Sequence, residues 1–150
     1  DHRDLHSCPT RRSSDLTAIV ITADHGQVHV GDQLIDLPQS VTRLVDGQSG
    51  EARFRWLHAR AGSAGDLLEA AHEAFDAVGW VRSVDEVVTA GWLGPEVTAV
   101  ARARLGDVAV LARDPVAFVD PAEAMSFHLI GRHGSMTVDE MLVPALAVVT

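Results

Sequence analysis

Two places in the sequence carry residue types that can do metal or acid-base chemistry. The first is Asp24-His25-Gly26. A carboxylate oxygen and an imidazole nitrogen side by side can each bind a divalent cation. Neighbours on a regular strand point to opposite faces, so the two converge only where the strand ends and bends, and Gly26 is expected to supply that bend. The second place is Gly131-Arg132-His133-Gly134-Ser135, where a histidine beside glycine on a loop is free to face a cleft. Each motif also has a plainer reading. Asp24 could be an exposed turn residue and His25 a locally hydrogen-bonded one, and His133 could sit in an ordinary polar loop.

The remaining candidates are weaker. His29 lies four residues past His25, but the intervening turn argues against pairing at helical spacing. His128 sits among Phe127, Leu129 and Ile130 and reads as a buried, satisfied histidine. His58 and His72 fall on an expected strand and a helix flank and read as structural. Glu51-Ala52-Arg53 follows Gly50 and could touch a substrate or brace a cap, with packing as the plainer reading. Trp56, Trp80 and Trp92 read as packing rather than as a base-stacking platform.

The elements that must position these residues follow from the hydrophobic pattern. Thr17 to Thr22, TAIVIT, is a β-branched apolar run that reads as a buried strand of a parallel sheet covered on both faces. It stops at Ala23-Asp24-His25-Gly26, and open α/β sheets place their sites just past the carboxyl ends of such strands. Val28 to Gly50 is broken by turn residues and reads as loop with short extended pieces. Ala52 to Ala59 alternates, with Phe54, Trp56 and His58 on one side and Arg53, Arg55 and Leu57 on the other, as in a half-exposed strand. Gly65 to Val78 places Leu67, Ala71, Phe75 and Val78 in a helical stripe, with Ser63 and Asp66 at its start and Gly79 as its stop. Ser83 and Glu86 fit a capping box before a shorter helix that Gly91 should end. Leu105 to Arg113 contains the strand-like VAVLA. Thr137 and Glu140 match a further capping box before a helix that Pro144 must end, and Val143 to Val149 returns to a strand-like run. Strands alternating with helices give an α/β class, a mixed or parallel sheet with flanking helices. Residues about 31–127 separate the two histidine motifs and could form an inserted or cap region.

Composition narrows the function. The chain has 150 residues, 47% of them hydrophobic, enough for one domain with a core. The formal charge is −9, from 21 acids and 12 bases. Such a chain is a poor partner for a nucleic acid polymer, which rewards clustered basic residues. It is no obstacle to a nucleotide or phosphate ester held through metal ions, whose own charge dominates locally. Every base is an arginine, in keeping with the codon bias of a GC-rich genome. The lone cysteine, Cys8, rules out an intrachain disulfide. No apolar run approaches the roughly 20 residues of a membrane-spanning helix.

His6 to Leu16 reads HSCPTRRSSDL, which resembles a sequencing-adapter read translated in one frame. Residues 1–16 are therefore expected to be non-native, with the native sequence entering near Thr17 in front of a core strand, as the C-terminal part of a longer chain. The alternative is a basic arm in which Arg11 and Arg12 touch a partner. Without this segment three acids and three bases are lost, and the net charge of the remainder is still −9.

TAIVITADHGQVHV, followed about a hundred residues later by GRHGSMTVDEMLVPALAV, resembles the C-terminal half of the alkaline phosphatase superfamily, and within it the nucleotide pyrophosphatase/phosphodiesterase branch. The resemblance lies in both motifs occurring in this order across residues 17–150. It implies two divalent metal ions, zinc or alternatively manganese. Asp24 and His25 would bind one, together with the nucleophile and another aspartate, and His133 would bind the second. Two cations about 4 Å apart can activate an attacking oxygen and stabilise a leaving one, lower the pKa of a Thr or Ser nucleophile and neutralise phosphoryl oxygens in the transition state. The implied substrate is a small phosphate ester or nucleotide. The chain departs from the family in having no stretch assignable as the nucleophile or as the upstream metal ligands. It is therefore expected to be inactive alone and to bind zinc weakly. A phosphate mutase or a sulfatase would keep a similar metal pair. A non-catalytic α/β domain with incidental histidines is the reading from another class, and convergence of Asp24, His25 and His133 in one cleft would discriminate against it.

Overall fold

The structure is a computed structural model that describes residues 17–123 and 129–149. The adapter-like segment 1–16, with Cys8, and His128 lie outside the described residues. In chain order the elements are β1 (Ala18–Thr22), β2 (Val28–His29), β3 (Leu34–Ile35), α1 (Gln39–Thr42), β4 (Val45–Glu51), β5 (Phe54–Ala59), α2 (Ala64–Phe75), β6 (Gly79–Ser83), α3 (Val84–Thr89), α4 (Ala99–Arg102), β7 (Val108–Ala112), β8 (Ala117–Phe118), β9 (Gly131–Arg132), α5 (Val138–Met141) and β10 (Ala145–Val149). The class is α/β with a mixed set of strand pairings and flanking helices. Two compact units divide the chain, Asp1–Asp24 with Val143–Thr150, and His25–Leu142.

In the first unit β1 pairs antiparallel with β10, in unbroken register from Ala18↔Val149 to Thr22↔Ala145. Both strands form where the β-branched runs predict them. Their burial does not match the expectation. Every residue of both strands is exposed, and the neighbour of β1 is antiparallel rather than parallel. Among the described residues of this unit no second layer accompanies the two strands.

The second unit is built on the antiparallel sheet β4-β5-β7-β6. The period-2 alternation of its strands sorts side chains into two clusters. Leu57, Val81, Val108, Val110 and Ala112 pack with Leu67, Ala71 and Phe75 of α2. Trp56, Ala109 and Leu111 pack with Val87 of α3 and with Trp80 and Trp92. The tryptophans are thus packing residues. The stripe of α2 runs as its spacing predicts, but Gly79 is not its stop. The helix ends at Asp76, and Gly79 opens β6, where a Cβ would lie 2.3 Å from the Leu111 carbonyl oxygen. The box at α3 forms as expected: the Glu86 amide donates to Ser83 Oγ, and the Ser83 amide donates to the Glu86 carboxylate at 2.7 Å. The box carboxyl is held below the usual range, chiefly by the Ser83 amide. Gly91 follows with φ +71°.

Two expectations in this unit are corrected. Part of Val28–Gly50, read as loop, is the seven-residue strand β4, polar and interrupted by glycines but paired along its length with β5. Cross-strand pairing overrides its poor propensity. And β5 is central rather than half-exposed. It is flanked by β4 and β7, and Arg53 and Arg55 are as buried as Leu57. Two short pairings complete the unit: parallel β3–β8 and antiparallel β2–β9. Among the described residues no helix is long and apolar enough to cross a membrane.

Candidate functional site

The ladder β2–β9 sets Val28 opposite Arg132 and His29 opposite Gly131. It clamps the segment after the first histidine motif against the start of the second. His25 and His133 consequently meet, with ring centroids 3.8 Å apart and planes within 16° of parallel. Both rings are partly buried. The His25 Nδ1 lies 2.8 Å from the Gly26 carbonyl oxygen. A carbonyl oxygen only accepts, so in the neutral ring Nδ1 carries the proton and Nε2 keeps its lone pair. A backbone carbonyl on one ring nitrogen is the usual arrangement for a metal-ligating imidazole.

Asp24 is exposed and belongs to the unit of β1 and β10, whereas His25 belongs to the other unit. Among the described residues no group of three or more His, Cys, Asp or Glu side chains is placed to hold one metal ion. Two stacked imidazoles are of a type that fits the nitrogen part of a metal site. They leave the oxygen ligands to other residues.

The chain bends at Asp24, two residues before Gly26, which itself takes no positive φ. The Gly26 amide donates to the Glu140 carbonyl at 2.9 Å, and a Cβ there would sit 1.9 Å from the Asp139 carbonyl oxygen. The residue is glycine because α5 backbone lies against it. Gly134 is constrained twice: φ is +118°, and a Cβ would meet the Glu51 Cβ at 2.6 Å.

The strongest polar feature beside the histidines is the Arg53–Glu140 pair, both nine-tenths or more buried. Arg53 Nε donates to Glu140 Oε1 at 2.8 Å and Nη2 to Oε2 at 3.0 Å. Nη1 donates to the carbonyls of Asp114 and Val116, and Nη2 also to that of Ala112. All five guanidinium N–H groups therefore have acceptors. Glu140 in turn accepts from the Ser135 amide at 2.9 Å and from the Thr137 hydroxyl. Burial opposes ionisation of this carboxyl, but Arg53, Thr137 and the Ser135 amide outweigh it and hold it below the usual carboxylate range. The expected capping box at Thr137 is thereby replaced. Thr137 makes no side-chain cap to the backbone; its hydroxyl donates instead to the Glu140 carboxylate, which Arg53 also holds.

The sequence signal for this pair was an arginine alternating with core residues of a strand. Neither a cap brace nor a substrate contact describes Arg53, whose every donor is taken inside the protein. Arg55, two residues on, is likewise buried and paired with Glu123, whose carboxyl it holds below the usual range. None of the other described histidines takes part in the stack. His29 is exposed on β2. His58 Nε2 lies 2.8 Å from Ser49 Oγ across β4–β5, and His72 pairs with Asp76 one turn along α2.

No family model matches the sequence, and no curated protein matches it. Solved structures do share its fold. Human ectonucleotide pyrophosphatase/phosphodiesterase 5 superposes with a TM-score of 0.61 and 20% identity, over 87% of this chain and 33% of its own. The murine protein of that name gives 0.62 and 16% over the same shares, as does its inactive variant in complex with AMP. The chain thus spans a third of the length of these proteins.

Proposed function

We propose that this chain, which has the fold of an ectonucleotide pyrophosphatase/phosphodiesterase over a third of that protein's length, carries part of a two-metal phosphoester-hydrolase site. The observation that supports the reading is the His25–His133 stack. It brings one imidazole from each motif to the same place, 3.8 Å apart by ring centroid, as a site with one imidazole for each ion needs. His25, with Asp24 as its carboxylate neighbour in the chain, would hold one ion, and His133 the other. Zinc suits such nitrogen and oxygen donors, and manganese is the alternative. Such ions, when bound, supply Lewis-acid stabilisation of phosphoryl oxygens and activation of the attacking hydroxyl.

The chain's own residues orient the site. The Gly26 carbonyl fixes the His25 ring and its tautomer, and the close α5 backbone admits only glycine at position 26. No residue of this chain is assigned as nucleophile, so the chain alone should bind zinc weakly and turn over no substrate. The substrate class is a small phosphodiester or nucleotide, in keeping with the AMP held by the murine relative. His133→Ala in the full-length protein is expected to abolish phosphodiester hydrolysis. Retained turnover would count against the assignment, as would tight, stoichiometric zinc binding by the isolated chain in calorimetry.

A further inference from the structure

Glu140 is hydrogen-bonded to both histidine segments. Its carboxylate takes the Ser135 amide, two residues after His133, and its carbonyl takes the Gly26 amide, one residue after His25. Its other carboxylate partners are Arg53 and the Thr137 hydroxyl. Arg53 is tied in turn to the Ala112, Asp114 and Val116 carbonyls at the end of β7 and just beyond it. Ser135 Oγ reaches the Ala112 carbonyl as well. The loops that carry the two imidazoles are thus fastened, through one ion pair, to a fully buried strand.

We infer that Arg53 and Glu140 are positioning residues, a saturated buried pair whose task is to hold the His25 and His133 rings in register for ligand binding. This rests on the metal-site reading above. A carboxylate with four acceptor positions filled by four donors cannot be replaced by an amide. Either oxygen of Glu140 accepts from Arg53, so whichever one becomes NH2 sets donor against donor. Loss of this anchor should let the loops drift while the two hydrophobic clusters on either side of the sheet keep their packing. Outer partners that orient metal ligands commonly change affinity by about 10–100-fold when altered.

The test compares Glu140→Gln with Leu67→Ala, a core truncation in α2 remote from the histidine loops, in the full 150-residue chain. Two-dimensional NMR of the imidazoles reads the nuclear Overhauser contact between the His25 and His133 rings and the zinc dissociation constant from ring-nitrogen shifts. Glu140→Gln is expected to lose the ring contact and to weaken zinc binding about tenfold. Leu67→Ala should keep both within twofold. An unchanged contact and affinity in Glu140→Gln, or equal losses in Leu67→Ala, would overturn the inference. If Glu140→Gln does not fold, Thr137→Val, which removes one donor to the Glu140 carboxylate without stranding a buried charge, is judged by the same two readouts. Zinc that shifts neither ring in the unaltered chain would defeat the metal reading alone, since the ring contact still decides the positioning role.

Discussion

AIVIT in β1 and VAVLA in β7 are near-synonymous sequences with opposite fates. In β7 every residue is buried, with Val108, Ala109, Val110, Leu111 and Ala112 at 1% exposure or less. In β1 every residue is exposed, Val20 at 66%. β7 lies between β5 and β6 and has a layer on each face, with α2 and its cluster on one and the tryptophans and α3 on the other. β1 has a single neighbour, β10, as apolar and as exposed as itself. A strand's sequence specifies that it will be extended. Burial depends on which layers the surrounding chain supplies.

The contrast can be broken by mutation, and the largest effect should come where polar groups are buried. Arg53→Met removes the counter-ion of buried Glu140 and a donor from each of three carbonyls, and should cost about 3–5 kcal/mol in denaturant unfolding. A loss under about 1 kcal/mol would mean that the pair is not desolvated as the structure has it. Leu111→Ala in β7 is expected to cost about 2–5 kcal/mol, against about 0.5 kcal/mol or less for Val20→Ala in β1. Equal costs would show that β1 is covered in solution. Ser83→Ala removes the cap of α3 and should cost about 1 kcal/mol, seen as a small fall in melting temperature.

Acid reads the same interior by a different route. The Glu140 carboxyl is depressed in the folded protein, so its contribution to stability is complete above the ordinary glutamate value of about 4.3 and is lost as pH falls through the folded value. The melting temperature should therefore drop below about pH 4, and Glu140→Gln should flatten that drop. An identical slope in both proteins would remove Glu140 from the account. The smallest effect is expected from Val20→Asp. It should leave unfolding almost unchanged while reducing self-association in light scattering, because the ribbon presents Ile19, Val20, Ile21, Leu146, Val148 and Val149 to solvent.

Much of this was legible in the order of residues. The stripe of α2, the Ser83–Glu86 box, the apolar run of β7 and the extended runs of β1 and β10 are local signals, and local physics is enough to produce them. β4 was not legible, because a strand of polar residues and glycines is held by its partner β5 rather than by its own propensity. Glu140 misled for a related reason. Spacing from Thr137 marks a capping box, but a buried guanidinium 87 positions away in sequence competes for the same carboxylate and wins it.

For the candidate site the division is similar. The sequence by itself marked Asp24, His25 and His133 as candidate ligands, because donor type and the glycines near them are local properties. Only the tertiary structure decided that His25 and His133 stand ring against ring, and that Arg53 and Glu140 fasten the segments carrying them. Those facts depend on backbone ladders and a buried ion pair between residues far apart in the chain, which no local pattern encodes.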